Sequence, residues 1–160
     1  MIFVILGTHE LPFTRLVKEI ERLKKEGFIK EEIIVQSGHT NYSSDLLTIQ
    51  PFMSYEEMES IYDRARLIIT HAGTGSVITG LKKNKKVIAV ARLKEYGEHN
   101  DNHQLELVDV FKEKGHILEW DDRTPLQEVM KSVEEFSPKP FVSGKEKMIK
   151  LIDDFIEKNS

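Results

Sequence analysis

Three polar runs, each following an apolar one, hold the side chains that could do chemistry. Gly7-Thr8-His9-Glu10 follows Ile2–Leu6, "THAGTGS" (70–76) follows Leu67–Ile69, and "RLKEYGEHNDNHQ" (92–104) follows Val87–Ala91. A buried strand that empties into a glycine turn and then a helix leaves backbone N–H groups unpaired at the strand's carboxyl end, where anions bind. Gly7 and Thr8 either offer such N–H groups to a phosphate oxygen or form an ordinary strand-to-helix turn; the run is not G-x-G-x-x-G, and no Walker lysine follows. Gly73 and Gly75 permit close backbone approach, while Thr74 and Ser76 can cap the helix or donate hydroxyl bonds to a diphosphate. The serine is not in the G-x-S-x-G setting of a hydrolase nucleophile. His71, at the strand end, either faces the ligand or is a packed histidine bonded to a neighbouring carbonyl. Asn102, His103 and Gln104 combine donors and acceptors, which suits the hydroxyls of a sugar. His99, Asp101, His103 and Glu106 are metal-ligand types, and a helix puts His103 and Glu106 on one face. The loop does not promise the convergence a metal needs, so no metal is expected.

The strands and helices that alternate along the chain position these runs. Helical spacing marks Phe13–Lys25, through Phe13, Leu16, Val17, Ile20 and Leu23. Strands are expected at Ile33–Gln36, in "LLTIQPF" ending near Pro51, in "RLIITHAG", in "KKVIAVA" and in "HILEW". Ser54-Tyr-Glu-Glu57 reads as a capping box opening a helix to about Ala65. Further helices are expected from about Thr74 to Lys83, over "HQLELVDVFKEK", and from Thr124-Pro-Leu-Gln127, with proline at the first helical position. Met148, Ile149, Leu151, Ile152, Phe155 and Ile156 make a stripe on an amphipathic carboxy-terminal helix over 143–158. Alternating strands and helices predict an α/β fold, a Rossmann-like parallel sheet with helices on both faces, in a single domain spanning 1–160. In such a sheet, ligands bind outside the carboxyl ends of the strands, where all three polar runs fall.

A chain of 160 residues is long enough to fold around its own core. The absence of cysteine excludes disulfides and thiolate zinc, and a net charge of -4 argues against a nucleic-acid partner bound by general basicity. No apolar run approaches the roughly 20 residues that span a bilayer, and "MIFVILGTHE" has no positive flank or cleavage site, so a cytoplasmic chain is expected. Lys82, Lys83, Lys85, Lys86, Arg92 and Lys94 are a local basic exception, either a solvated turn at the sheet end away from the ligand or an attraction to an anionic membrane.

"HAGTGS" and "DNHQLEL", in that order and separated by "VIAVARLKEYGEH", resemble the carboxy-terminal domain of glycosyltransferase family 28, the UDP-sugar-binding half of a GT-B enzyme. "GTHELPFTRLV" is further similar to small bacterial subunits of capsular and exopolysaccharide glycosyltransferases, themselves relatives of the eukaryotic subunit that adds GlcNAc to a dolichol-diphosphate acceptor. The resemblance covers about residues 1–120 and implies an inverting hexosyltransferase that uses a UDP-sugar as substrate and needs no cofactor. It assigns Gly73, Thr74, Gly75 and Ser76 to the diphosphate or nucleoside, and His103 with Gln104 to the hexose. Thr79 stands where many members carry a glutamate for the ribose hydroxyls. The resemblance also implies a lipid-linked saccharide acceptor and a membrane-anchored subunit that binds it, which would hold this chain at the inner face of the membrane. His9, on the first loop, is the candidate base in this chain, with the partner as the alternative source.

Overall fold

The structure is a computed structural model that describes residues 1–140; the helix expected over 143–158 lies outside the described residues. Its strands are β1 (Ile2–Ile5), β2 (Ile33–Gln36), β3 (Thr48–Gln50), β4 (Leu67–His71), β5 (Lys86–Val90) and β6 (Leu118–Glu119). All pair in parallel in the order β3-β2-β1-β4-β5-β6. The chain builds outward from β1 to β3 on one side, then returns to β4 beside β1 and builds out the other way. That reversal leaves a crevice at the carboxyl ends of β1 and β4, where open α/β sheets take their ligands.

The short apolar runs become strands because both faces of the sheet are covered. Ile2, Val4 and Leu6 pack into one core with α1 (Thr14–Lys25) and α5 (Leu126–Ser132). Phe3 and Ile5 face the other core, formed with α2 (Tyr55–Arg64), α3 (Thr74–Lys82) and α4 (His103–Glu113). Leu16, Val17, Ile20 and Leu23, the predicted stripe of α1, are fully buried, and each such side chain stabilises by roughly 1.5–3 kcal/mol relative to exposure.

Two helix starts differ from expectation. Ser54 Oγ accepts from the Glu57 N–H at 3.1 Å, but the Glu57 carboxylate accepts from Gln50 Nε2 at 2.8 Å instead of reaching back, so the box is half closed. Pro125 is the cap of α5 and not its first residue, with an extended ψ of 139° and a carbonyl that accepts from Glu128 and Val129. The basic cluster also divides. Lys83, Lys85 and Lys86 lie at or near the amino end of β5, while Arg92 is fully buried beyond its carboxyl end.

Candidate functional site

The loops after β1 and β4 and the start of α4 meet at the switch point. They line a cleft of about 540 Å³ with Gly7, Thr8, His9, His71, Gly73, Gly75, Ser76 and Gln104, walled on one side by Phe52, Met53 and Met58. Clefts of about 480 and 590 Å³ lie at the polar loop after β2 and beside β6, but neither contains a strand-to-glycine-to-helix turn.

His71 sits at the centre. Its ring occupies the space that side chains at both glycine turns would need: a Cβ on Gly7 would lie 2.5 Å from His71 Nε2, and one on Gly73 2.3 Å from His71 Cε1. Gln104 sets its chemistry. The Gln104 Oε1 accepts from the Ala72 N–H at 3.2 Å and the Arg92 N–H at 3.0 Å, so its Nε2 must be the group that meets His71 Nδ1 at 3.2 Å. Nδ1 is therefore the acceptor, and the neutral ring carries its proton on Nε2. Burial first, then the positive charge of Arg92, pulls the His71 pKa down to about 3, so His71 is a neutral donor at ordinary pH.

A second glutamine plays the same part at β1. Gln36, which the sequence reading did not single out, accepts from the Gly7 N–H at 3.1 Å and donates through Nε2 to the carbonyls of Pro51 at 2.8 Å and Gly7 at 3.3 Å. As to the two readings of the Gly7 turn, the Gly7 N–H is thus already engaged within the protein, because the register pairs Ile5 with Gln36 and brings that side chain beside the turn. The open donors lie instead at α3. Its cap, Gly73, has no side chain to satisfy the first turn, and the Val77 N–H is the first to reach back, to the Gly73 carbonyl at 3.2 Å. The N-terminal N–H groups ahead of it make no bond to another of the described residues and carry the positive end of the helix dipole, in a turn whose Gly73, Gly75 and Ser76 line the cleft.

The hydroxyls hold the turn itself. Ser76 Oγ accepts from Thr70 Oγ1 at 2.9 Å and donates its one proton to the Gly73 carbonyl at 3.0 Å, so in this arrangement it shapes the turn and does not donate to a ligand. Thr74 is the first residue of α3 and supplies no capping bond, and Thr79 Oγ1 donates back to the Gly75 carbonyl at 2.8 Å. Asn102 caps α4 by position only; its Oδ1 accepts from the Lys94 N–H at 2.9 Å. Asp101 Oδ1 takes the His103 N–H at 2.9 Å, and His103 Nδ1 lies 3.4 Å from Asp101 Oδ2. His103 does not line the cleft, whereas Gln104 does, and the Gln104 oxygen is spent on the backbone. Among the described residues, no three His, Asp or Glu side chains converge as metal ligands.

His9 reaches the cleft from the β1 loop, its ring tilted 31° against that of His99 with centroids 4.4 Å apart. Burial, His99 and Arg92 lower its pKa, in that order, keeping it neutral. Its Nδ1 accepts from the Leu11 N–H at 3.1 Å, so the neutral ring carries its proton on Nε2. That tautomer donates from Nε2; taking a proton there requires breaking the Leu11 bond.

The model of the glycosyltransferase family 28 C-terminal domain matches residues 1–158. The UDP-N-acetylglucosamine transferase subunit ALG13 of Yarrowia lipolytica is 27% identical over 129 residues, covering 74% of this chain and 64% of that protein. The chain spans less than two thirds of the length of the curated relatives it matches. Among solved structures, the solution structure of ALG13 aligns with a TM-score of 0.61 and 25% identity over 94% of each chain. MurG of Acinetobacter baumannii aligns with a TM-score of 0.54 over 95% of this chain and 49% of that one; at 19% identity this is a likeness of fold.

Proposed function

The chain belongs to the family of the glycosyltransferase family 28 C-terminal domain, and from that premise we propose that it is the donor-binding subunit of a hexosyltransferase. The observation that carries the reading is the uncapped amino terminus of α3 opening beside His71 in a cleft at the β1–β4 switch point. The donor is a UDP-sugar, with UDP-N-acetylglucosamine, named in the relatives, the first to test. The diphosphate would accept from the first-turn N–H groups of α3 and from Nε2–H of His71, and the nucleoside would lie along Phe52, Met53 and Met58. The acceptor is a polyprenyl-diphosphate-linked saccharide, whose hydroxyl attacks the anomeric carbon from the face opposite UDP and inverts it. Neutral donors fixed before the reaction stabilise the departing diphosphate without reorganisation.

The sheet supplies one half of a two-domain cleft, so a membrane-anchored subunit is proposed to provide the acceptor half. No helix among the described residues is long and apolar enough to cross a membrane; the partner is proposed to hold the chain at the inner face of the membrane. The capsular or exopolysaccharide setting rests on the resemblance carried by "GTHELPFTRLV". His9 becomes the base only after the Leu11 bond to Nδ1 is released, so a base from the partner is the simpler arrangement.

Calorimetry with a panel of UDP-sugars, followed by transfer assays with and without the partner, tests the proposal. Binding of one UDP-hexose, and transfer that requires both subunits, is expected. A second reading, a non-catalytic activating subunit, is favoured by Thr79: its hydroxyl is turned to Gly75, and its position offers no carboxylate to a ribose. Undiminished transfer by the partner alone selects that reading.

A further inference from the structure

Arg92 follows β5 and has no solvent exposure. Its Nη1 donates to the carbonyls of Leu11 at 2.7 Å and Glu98 at 3.0 Å, its Nη2 donates to the carbonyl of Leu6, and Cζ lies 4.9 Å from the Phe13 ring centroid. Every acceptor is a backbone carbonyl. The carboxylate whose charge acts on Arg92, that of Glu98, makes its bonds elsewhere: Arg15 Nε and Nη2 each donate to it at 3.0 Å, and the Leu93 N–H donates at 3.1 Å. Arg92 Nε has no partner. A guanidinium buried without an ion pair is expensive, and three carbonyls can be satisfied by neutral donors. What the guanidinium adds is charge.

That charge lies under the cleft. Leu6 and Leu11 bracket the loop that carries Gly7, Thr8 and His9, and Glu98 belongs to the loop that leads to α4. Both cleft histidines feel it: Arg92 disfavours the protonated form of His9 and of His71. At His9 the carboxylates of Glu10 and Asp101 oppose it, whereas at His71 the charges that act come from Arg92, His99 and His9, all cationic when charged.

We propose that Arg92 is a positioning residue that charges the cleft for a diphosphate: it joins the two loops and supplies, from beneath them, the positive field that the neutral donors of His71 and α3 lack. This rests on the reading of the cleft as a UDP-sugar site, and it concerns the diphosphate alone.

The experiment is calorimetric titration of the full chain with uridine, UDP and inorganic pyrophosphate, for the wild type, Arg92→Met and Arg92→Lys. The wild type is expected to bind UDP far more tightly than uridine. Arg92→Met is expected to lose about ten-fold or more in UDP and pyrophosphate affinity with uridine affinity unchanged, and Arg92→Lys to restore most of the loss. Equal losses for uridine and UDP make Arg92 a loop tether only and overturn the proposal while leaving the UDP site standing. Should Arg92→Met fail to fold, the wild type and Arg92→Lys still decide: equal affinity for uridine and UDP in the wild type, or Arg92→Lys losing uridine as much as UDP, overturns it. Pyrophosphate binding that depends on residue 92, without uridine recognition, keeps the charged cleft and removes the UDP-sugar reading. A wild type that binds neither anion removes both.

Discussion

At the amino ends of the strands, Lys85 donates to the Asp63 and Ala65 carbonyls at 2.9 Å each, where α2 ends, and Lys86 donates to the Val133 carbonyl at 2.7 Å, where α5 ends. Lys83 lies between Glu59 at 2.7 Å and Asp63 at 2.6 Å, and Glu31 takes both Arg66 and the amino terminus, which hold its pKa down to about 2. At the carboxyl ends, Arg92 also donates to carbonyls, but no carboxylate bonds it. The same residue class does two jobs. Cations at one end close helix termini and cancel acids at the surface, where water screens what remains. At the other end a cation is kept dry and without a bonded carboxylate, so its field is less screened at the cleft. The lysines expected as a possible membrane patch are thus largely committed to the fold.

Adding a methyl group at Gly73 should break the contrast most completely. Gly73→Ala drives a Cβ into His71 and should cost about 3 kcal/mol or more, with UDP binding lost, as thermal melting and calorimetry will show. Next is Gln104→Leu, which strips the acceptor from two buried N–H groups and frees His71; a loss of about 2–4 kcal/mol is expected in denaturant unfolding, with the His71 tautomer changed in nitrogen-15 spectra.

A smaller effect separates the ends by pH. The His71 pKa is about 3 in the folded chain against 6.5 for the free side chain, so between those values the unfolded state binds the extra proton. Its contribution is complete above the upper value and is lost as pH falls towards the lower. The melting temperature should drop from about pH 7 to about pH 5, and less so in His71→Gln. The smallest change is expected at the amino end: Lys83→Ala should leave UDP affinity unaltered and shift the melting temperature less than any of the carboxyl-edge variants, because its ion pairs are exposed.

The strand-to-glycine-to-helix turns were legible because their signals are local. An apolar run, a glycine and a helical stripe are neighbours in the chain, and so local pattern alone puts Gly73, Gly75 and His71 at the sheet edge. Gln36 was not legible. It looks like the polar end of a strand, and its bond to Gly7 spans 29 residues that only the β1–β2 register brings together. Arg92 follows a cluster of lysines six to ten residues upstream, and proximity in sequence hides the fact that β5 carries them to opposite ends of the sheet. Ser76 and Gln104 line the cleft, and only the folded turn shows that the serine hydroxyl and the glutamine oxygen bond the backbone.

What the amino-acid sequence determined by itself was the order of elements, the parallel sheet and the edge at which polar residues gather, because alternation of apolar runs with helical stripes leaves few other ways to bury both faces. The tertiary structure alone decided which polar atoms are spent and which remain open. A hydrogen-bonding side chain has many possible partners along the chain, and only the sheet register and the crossing of three loops select among them: Gln36 closes the Gly7 N–H, Gln104 fixes the proton of His71, and Arg92 is left dry beneath the cleft.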